Sequence, residues 1–421
     1  MHRRCGVAFL AIFCAIFVYM ARSIADFFRH YDAGRRPELL PLRYHRMQAN
    51  AFAFFRGSAP LFYEEYGRDA LLRDSPVAWL CGDAHVEYFG SYRGGNGLVY
   101  FDEAVRGPLL WDVARLTVSV LLAGSYLGLS SAQRQAAART ALTAYVTTLA
   151  TGKPLLLERE TAKGVVRQFI KTVARRRRRD LLRVRASRCH GWHLRPQSTL
   201  YVLPEAERKR VLQAFEAWRC AQADPTCGPA LDVAHRVAGV GSLGVPRYIV
   251  LAKHHYPRKL PLLLDLKLAL PAAGQGARSA QPRLPSEAHR VVQAQTWLQA
   301  VSPALLQAVS LGGQPFVLRA LQPVADKLDF AHFGHTKATF RAALPDFAQL
   351  LAWAHLRAAG RHGAATPDVL QTYGAAAAQW QAGVLHFVDA AVNEVKKDFR
   401  AFKAACRTGA LPTASKPLKV A

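Results

Sequence analysis

The residues best suited to chemistry stand in two places. Cys81-Gly82-Asp83-Ala84-His85-Val86-Glu87-Tyr88-Phe89-Gly90 follows the apolar run of residues 77–81, and Asp102-Glu103 follows a second apolar run, residues 98–101. Acidic groups at the ends of two neighbouring strands converge on one place. That suits phosphoryl transfer, where one carboxylate orients the attacking hydroxyl and others hold Mg²⁺ against the phosphates. The same residues also read as a plain turn with Asp83 as its cap, and His85 serves equally as a phosphate contact or as a structural histidine. The second place is Gly239-Val240-Gly241-Ser242-Leu243-Gly244, set between two β-like runs, with Lys267 near the end of a later one. A glycine-rich cover for phosphates followed by a lysine on a strand is what a kinase-like site requires. Glycines that merely close a hairpin look alike, but a Rossmann reading is disfavoured because these open no long helix. No GxSxG elbow supports a hydrolase triad.

The elements that must position these groups follow from periodicity and punctuation. Residues 23–66 are helical in pattern, interrupted at Gly34-Arg35-Arg36-Pro37 and Arg56-Gly57-Ser58-Ala59-Pro60, which gives two short helical pieces. Strands are expected at 77–81 and 98–101, then helices at 111–127 and 131–149 with Ser130 or Ser131 as N-cap. A basic helix is expected between 158 and 188, its arginines 175–179 forming a solvated face. Residues 233–237, 248–252 and 260–268 read as a small antiparallel sheet, 274–285 as a loop, 289–300 as a helix and 315–321 as a strand. Ala-rich helices at 344–359 and 366–405 close the chain.

With 421 residues, 51% of them hydrophobic, the chain can bury a sizeable core. Its net charge of +27 favours phosphates, nucleotides, nucleic acid or an anionic membrane surface as partners. The seven cysteines are scattered without CxxC or zinc-site spacing, which indicates ordinary thiols in a reducing compartment. Residues 5–21 form an apolar run behind His2-Arg3-Arg4. It reads as an inner-membrane anchor that leaves the body in the cytoplasm or, equally, as sequence upstream of a soluble cytoplasmic protein starting at Met20; secretion ranks behind both.

The stretch Met47-Gln48-Ala49-Asn50-Ala51-Phe52-Ala53-Phe54-Phe55-Arg56-Gly57, then Cys81-Gly82-Asp83-Ala84-His85, Gly107-Pro108-Leu109-Leu110-Trp111-Asp112-Val113-Ala114-Arg115-Leu116 and the later Arg236-Val237-Ala238-Gly239-Val240-Gly241-Ser242-Leu243-Gly244 resembles the bacterial family called domain of unknown function 2252. The resemblance covers roughly residues 22–405, a single two-lobed domain between the segment 1–21 and a tail, 406–421. Within it the catalytic-loop motifs occupy 77–127, a basic helical region 158–190, the glycine-loop sheet 233–325 and the C-terminal helices 344–405. More distantly, Gly82-Asp83-Ala84-His85, Gly107-Pro108 and Trp111-Asp112-Val113-Ala114-Arg115-Leu116 are similar in order and spacing to the HGDxHxxN and GDPxxDLA motifs of aminoglycoside and choline phosphotransferases.

That resemblance implies an α+β, two-lobed, protein-kinase-like fold. It implies Asp83 as catalytic base with His85 beside it, and Asp112 and Arg115 bracing the loop from a helix, with Arg56 in support. Asp102 and Glu103 would hold Mg²⁺, Gly239, Gly241, Ser242 and Gly244 would cover the phosphates of ATP, and Lys267 would meet their oxygens. The partners would be a nucleotide and an unidentified acceptor. The motifs run in the opposite order to a kinase, which a circular permutation reconciles. Two departures favour a rival, a kinase-like binding or scaffold protein without catalysis. Tyr88 stands where the motif has Asn, and Tyr100-Phe101-Asp102-Glu103-Ala104 is five residues shorter than the family's YFDxNDFDEA. A third reading is a basic protein held at an anionic membrane surface, with nucleic acid the weaker partner.

Overall fold

The computed structural model describes residues 23–92, 95–98, 100–197, 199–222, 227–256, 259–275, 281–323, 327–328 and 336–413. The apolar run at 5–21 lies outside the described residues, as do residues 276–280 of the expected loop. No helix among the described residues is long and apolar enough to cross a membrane.

The N-terminal region holds four main helices rather than two pieces: Ile24–Tyr31, Leu40–Met47, Ala51–Gly57 and Ala59–Glu65. Ser23 and Asn50 cap the first and third by accepting the N–H of Asp26 and Ala53. Four short strands follow: β1 (Val77–Leu80), β2 (Phe89–Tyr92), β3 (Gly95–Leu98) and β4 (Val105–Pro108). β2 pairs with β3, and β1 pairs antiparallel with β4, Leu80 opposite Val105. The strand expected at 98–101 is therefore displaced: β3 ends at Leu98, and Asp102 and Glu103 lie in the turn that enters β4. Phe101 is apolar because its ring is buried beside Tyr88, at a centroid separation of 6.3 Å, and not because it pairs in a ladder.

Two long helices, Leu110–Tyr126 and Ser131–Ala150, fall within a residue of their expected bounds. Ser130 caps the second through a reciprocal capping box with Gln133. The first is buried on all sides from Leu110 to Gly124, so the side chains of Asp112 and Arg115 point into protein from a central rod. The expected basic helix is broken into Gly164–Arg175 and Arg178–Arg185, with Arg176 and Arg177 extended between them. Asp180 accepts the N–H of Arg177 and starts the second piece there.

Beyond a two-residue ribbon of β5 (Ala186–Ser187) and β6 (His193–Leu194) lies the main sheet. Its strands are β7 (Leu200–Tyr201), β8 (Cys227–Arg236), β9 (Arg247–His254), β10 (Leu262–Leu268), β11 (Gln307–Leu311) and β12 (Gln314–Ala320), antiparallel in the order β11-β12-β10-β9-β8-β7. Helix Glu287–Leu298 joins β10 to β11. One face of the sheet packs Tyr248, Val250, Leu264, Leu266 and Leu318 against Val211 and Phe215 of helix Glu205–Cys220. On the other, Ile249, Leu251 and Leu263 cover Leu182 and Leu194. Because side chains alternate along a strand, Asp265 and Lys267 share the face of Leu263. The α+β expectation holds. The last Ala-rich segment is two helices, Pro367–Ala375 and Gln381–Arg407, and helix Lys337–Ala358 starts seven residues earlier than expected and carries Pro345 inside.

Candidate functional site

Asp83 sits in a turn that other side chains fix almost completely. Gly82 and Asp83 both adopt left-handed backbone, φ 68° and 51°. Asp112, from the central helix, accepts the N–H of Cys81 at 2.7 Å and of Gly82 at 3.2 Å. The Tyr63 hydroxyl accepts the N–H of Asp83 at 2.8 Å. Arg115, three residues after Asp112 and therefore on the same helix face, donates through Nε to Oδ1 of Asp83 at 2.9 Å and through another nitrogen to the Phe55 carbonyl. Its guanidinium lies over the Phe55 ring at 4.1 Å. One carboxylate oxygen of Asp83 is thus anchored by Arg115. Burial raises the Asp83 carboxyl above the usual range, with Arg115 opposing.

His85 is buried, and its Nδ1 accepts the N–H of Glu87 at 3.1 Å. Burial, with Arg56 and Arg115 adding to it, pushes its pKa well down, so the ring is neutral with its proton on Nε2. Arg56 pairs with Glu87 and stands over the Phe52 ring. Tyr88 is a strut: its hydroxyl donates to the Cys81 carbonyl at 2.8 Å and touches that of Tyr100.

Asp102 meets Lys267 across the cleft, Oδ2 to Nζ at 2.7 Å. Burial alone would raise the Asp102 carboxyl, but Lys267 and Arg319 outweigh it and hold it at about 2. Burial lowers the Lys267 ammonium, with Asp102 opposing. Glu103 accepts the N–H of Ala273 at 2.6 Å, and burial raises its pKa. The turn carrying both acids is fastened by Arg290, which donates to the carbonyls of Asp102, Ala104 and Leu270 and pairs with Glu287. Glu287 also accepts from the side-chain amide of Gln275 at 3.0 Å.

The glycine segment forms the turn between β8 and β9, with Gly239 at φ 80° and Gly244 at φ 89°. Its carbonyls are held by arginines from the N-terminal region, Arg43 and Arg46 on helix Leu40–Met47 and Arg35 on the turn before it. Arg46 takes Gly239 O at 3.0 Å, Arg43 takes Val240 O at 2.6 Å and Gly241 O at 3.3 Å, and Arg35 takes Leu243 O at 2.8 Å. The backbone N–H of Arg36 takes Gly244 O at 2.9 Å. Asp32, buried, pairs with Arg35 and Arg43. Among the described residues, nothing accepts the N–H groups of Gly239, Val240, Gly241 or Ser242. A run of open amides with its carbonyls fixed has the chemistry that an anion cradle uses. It is tied down and is not a loose flap.

These parts line one cleft of about 420 Å³: Asp83, His85 and Arg56; Asp102 and Glu103; Gly239, Gly241 and Ser242; and Lys267. Asp112, Arg115 and Gly244 lie behind its walls. The open amides and Lys267 fit the phosphates of a nucleotide. A divalent cation fits less well. Asp83, Asp102 and Glu103 each commit one oxygen elsewhere, Tyr88 offers no ligand, and their ligand atoms do not gather within 4.8 Å of one another. Among the described residues the set that does so is Cys81, Asp112 and His355. There Asp112 is used by the loop N–H groups and by His355 Nε2 at 3.2 Å, and His355 Nδ1 meets the Tyr145 hydroxyl at 2.8 Å. That set is an internal hydrogen-bonded chain.

Sequence reasoning missed the charged centre of the sheet. Asp265 is buried and bonds Arg236 at 2.9 Å, Arg247 at 2.7 and 2.6 Å, and Arg319 at 3.5 Å, a tie across β8, β9, β10 and β12. Burial pushes Asp265 up, but Arg247 and Arg236 hold it well below the usual carboxylate range. The signal was present: a lone acid inside a leucine-rich strand requires buried cationic partners.

The chain matches, over residues 35–405, the family model described as an uncharacterized protein conserved in bacteria. No curated protein and no solved structure matches it.

Proposed function

We propose that this chain, which belongs to the bacterial family DUF2252, is a kinase-like phosphotransferase that takes ATP in the cleft and passes its terminal phosphoryl group to an acceptor hydroxyl. The observation that carries this reading is the meeting, in one cleft, of Asp83 with the open amides of Gly239, Gly241 and Ser242 and with Lys267. The order of parts along the sheet supports it: glycine turn, lysine strand, helix, then two more strands, as a phosphate-binding lobe requires. The early position of Asp83 then follows from a permuted chain.

In this reading the amides and Lys267 bind the phosphate oxygens and align the terminal phosphorus. Asp83, held by Arg115 through one oxygen, accepts the acceptor's hydroxyl proton on the other. The acceptor oxygen bonds to phosphorus as the bond to the leaving ADP oxygen breaks. A carboxyl raised by burial is the stronger base once ionised. The carboxylates as arranged form no closed Mg²⁺ site among the described residues.

A second reading, nucleotide binding without transfer, is favoured by the pairing of Asp102 with Lys267 and of Asp83 with Arg115. One experiment separates the two. The melting temperature is measured with ATP, in Mg²⁺ and in EDTA, alongside ADP release in the presence of candidate hydroxyl acceptors. Stabilisation with ADP release that Asp83→Asn abolishes supports transfer. Stabilisation without release supports the second reading, and no stabilisation in either buffer removes both.

A further inference from the structure

The end of helix Ala51–Gly57 is docked to the two halves of the cleft at once. Its Phe55 carbonyl accepts at 2.9 Å from Arg115, which also grips Asp83. Two residues on, its Gly57 carbonyl accepts from Arg43 at 2.7 Å, and the same guanidinium takes the Val240 carbonyl of the glycine turn at 2.6 Å. Arg56 stands between these two ties and lines the cleft with Asp83, Gly239, Gly241 and Ser242. A methyl group on Gly241 would sit 3.2 Å from the Arg56 carbonyl oxygen, so backbone meets backbone on that side. On the other, the Asp83 carboxyl is raised by burial and opposed by Arg115 and then by Arg56. Two partners restrict the side chain: Nη1 pairs with Glu87, and the guanidinium lies 5.7 Å from the centre of the Phe52 ring. Glu87 balances the charge without saturating the donors, since Nε has no hydrogen-bond acceptor among the described residues.

A guanidinium placed between a proton acceptor and a row of open amides stands where a phosphoryl group would pass from one to the other. We infer that Arg56 is a catalytic residue of the transfer, an arginine supplied from within the chain to the outer oxygens of the phosphoryl group in flight. This rests on the phosphotransferase reading. In the step, the acceptor oxygen bonds to phosphorus and the bond from phosphorus to the ADP oxygen breaks, its electron pair leaving with ADP. The hydroxyl proton goes to Asp83. The charge spread over the outer oxygens of the phosphoryl group is met by the guanidinium, whose planar fork suits two oxygens at once. Glu87 then acts through Arg56, as the residue that positions it.

The test is steady-state ADP release from ATP by the full chain, with water, glycerol and glucose as acceptor hydroxyls. The parent is compared with Arg56→Lys, Arg56→Gln and the double variant Arg56→Gln/Glu87→Gln. In Arg56→Gln and the double variant kcat should fall about a hundredfold or more, with the KM for ATP within about threefold of the parent's, because the contact is made to the group in flight. Arg56→Lys keeps the charge but not the fork and should fall in between. The double variant removes the pair without stranding Glu87, so a loss shared by both does not come from an unpaired carboxylate. The ATP-induced rise in melting temperature should persist in all three, as a cleft that is still assembled requires. Unchanged kcat in the double variant, or a loss carried by KM or by ATP-induced stabilisation instead, would overturn the role of Arg56 and leave the phosphotransferase reading standing. A parent that binds ATP and releases no ADP would overturn both.

Discussion

A methyl group on Gly82 would sit 1.9 Å from the carbonyl oxygen of Glu103. The turn that carries Asp83 and the turn that carries Asp102 and Glu103 therefore touch backbone to backbone, and only a residue without a side chain permits it. Gly82→Ala is expected to cost about 2 kcal/mol or more in stability, because the overlap is with backbone and the φ of 68° is itself unfavourable for alanine. Urea unfolding measures it, and a variant as stable as the parent would show that the two turns separate readily. Lys267 permits a different test. Lys267→Met keeps the buried stem and removes the charge facing Asp102. The ATP-induced rise in melting temperature should be lost, and the Asp102 carboxyl, held at about 2 by Lys267 and Arg319 against burial, should titrate higher. Undiminished stabilisation by ATP would remove Lys267 from the phosphate site.

At the scale of elements, β10 carries the sheet's ionic tie. Asp265 has a folded pKa below its unfolded value of about 3.9. The stability it contributes is therefore complete above that value and is lost as pH falls toward the folded one. Asp265→Asn leaves Arg236, Arg247 and Arg319 buried without their anion and should cost about 3–5 kcal/mol at neutral pH. It should also flatten the acid limb of the stability profile below about pH 4, which denaturant midpoints across pH would record. An acid limb identical in both proteins would contradict the assignment.

The elements also show what a sequence discloses. The central helix and its successor were legible because apolar periodicity ran for four or more turns and Ser130 marked a start. β9 and β10 were legible from dense β-branched and leucine runs, whereas only the end of β8 from Val233 was, because Cys227–Asp232 carries little pattern. The strand at 98–101 was misread because tertiary burial of Phe101 imitates pairing. β11, Gln-Ala-Val-Ser-Leu, was missed because five residues of mixed polarity carry little pattern before the Gly312-Gly313 turn. Of the candidate site, the acids, glycines and lysine were readable by type. The arginines that hold the glycine turn were not, since they lie 193 to 208 residues from their carbonyl partners. No local spacing encodes such a contact.

Across the whole molecule, the cleft is assembled from segments between His30 and Pro271, so the helical part and the sheet both contribute to it. Arg43 ties the two: from one fully buried side chain it reaches Asp32, the Gly57 carbonyl and the Val240 carbonyl. The net charge of +27 gives the assembled surface a long-range attraction for polyanions. The arginine clasp on the Gly239–Gly244 turn then bears on kinetics. A cradle already set in place captures its guest in one diffusive encounter, with no closing motion afterwards. Observed stopped-flow rates for ATP should climb in proportion to concentration, without a plateau, and slow steeply as ionic strength rises. A ceiling in that plot would mean that the doorway has to rearrange before the guest is held.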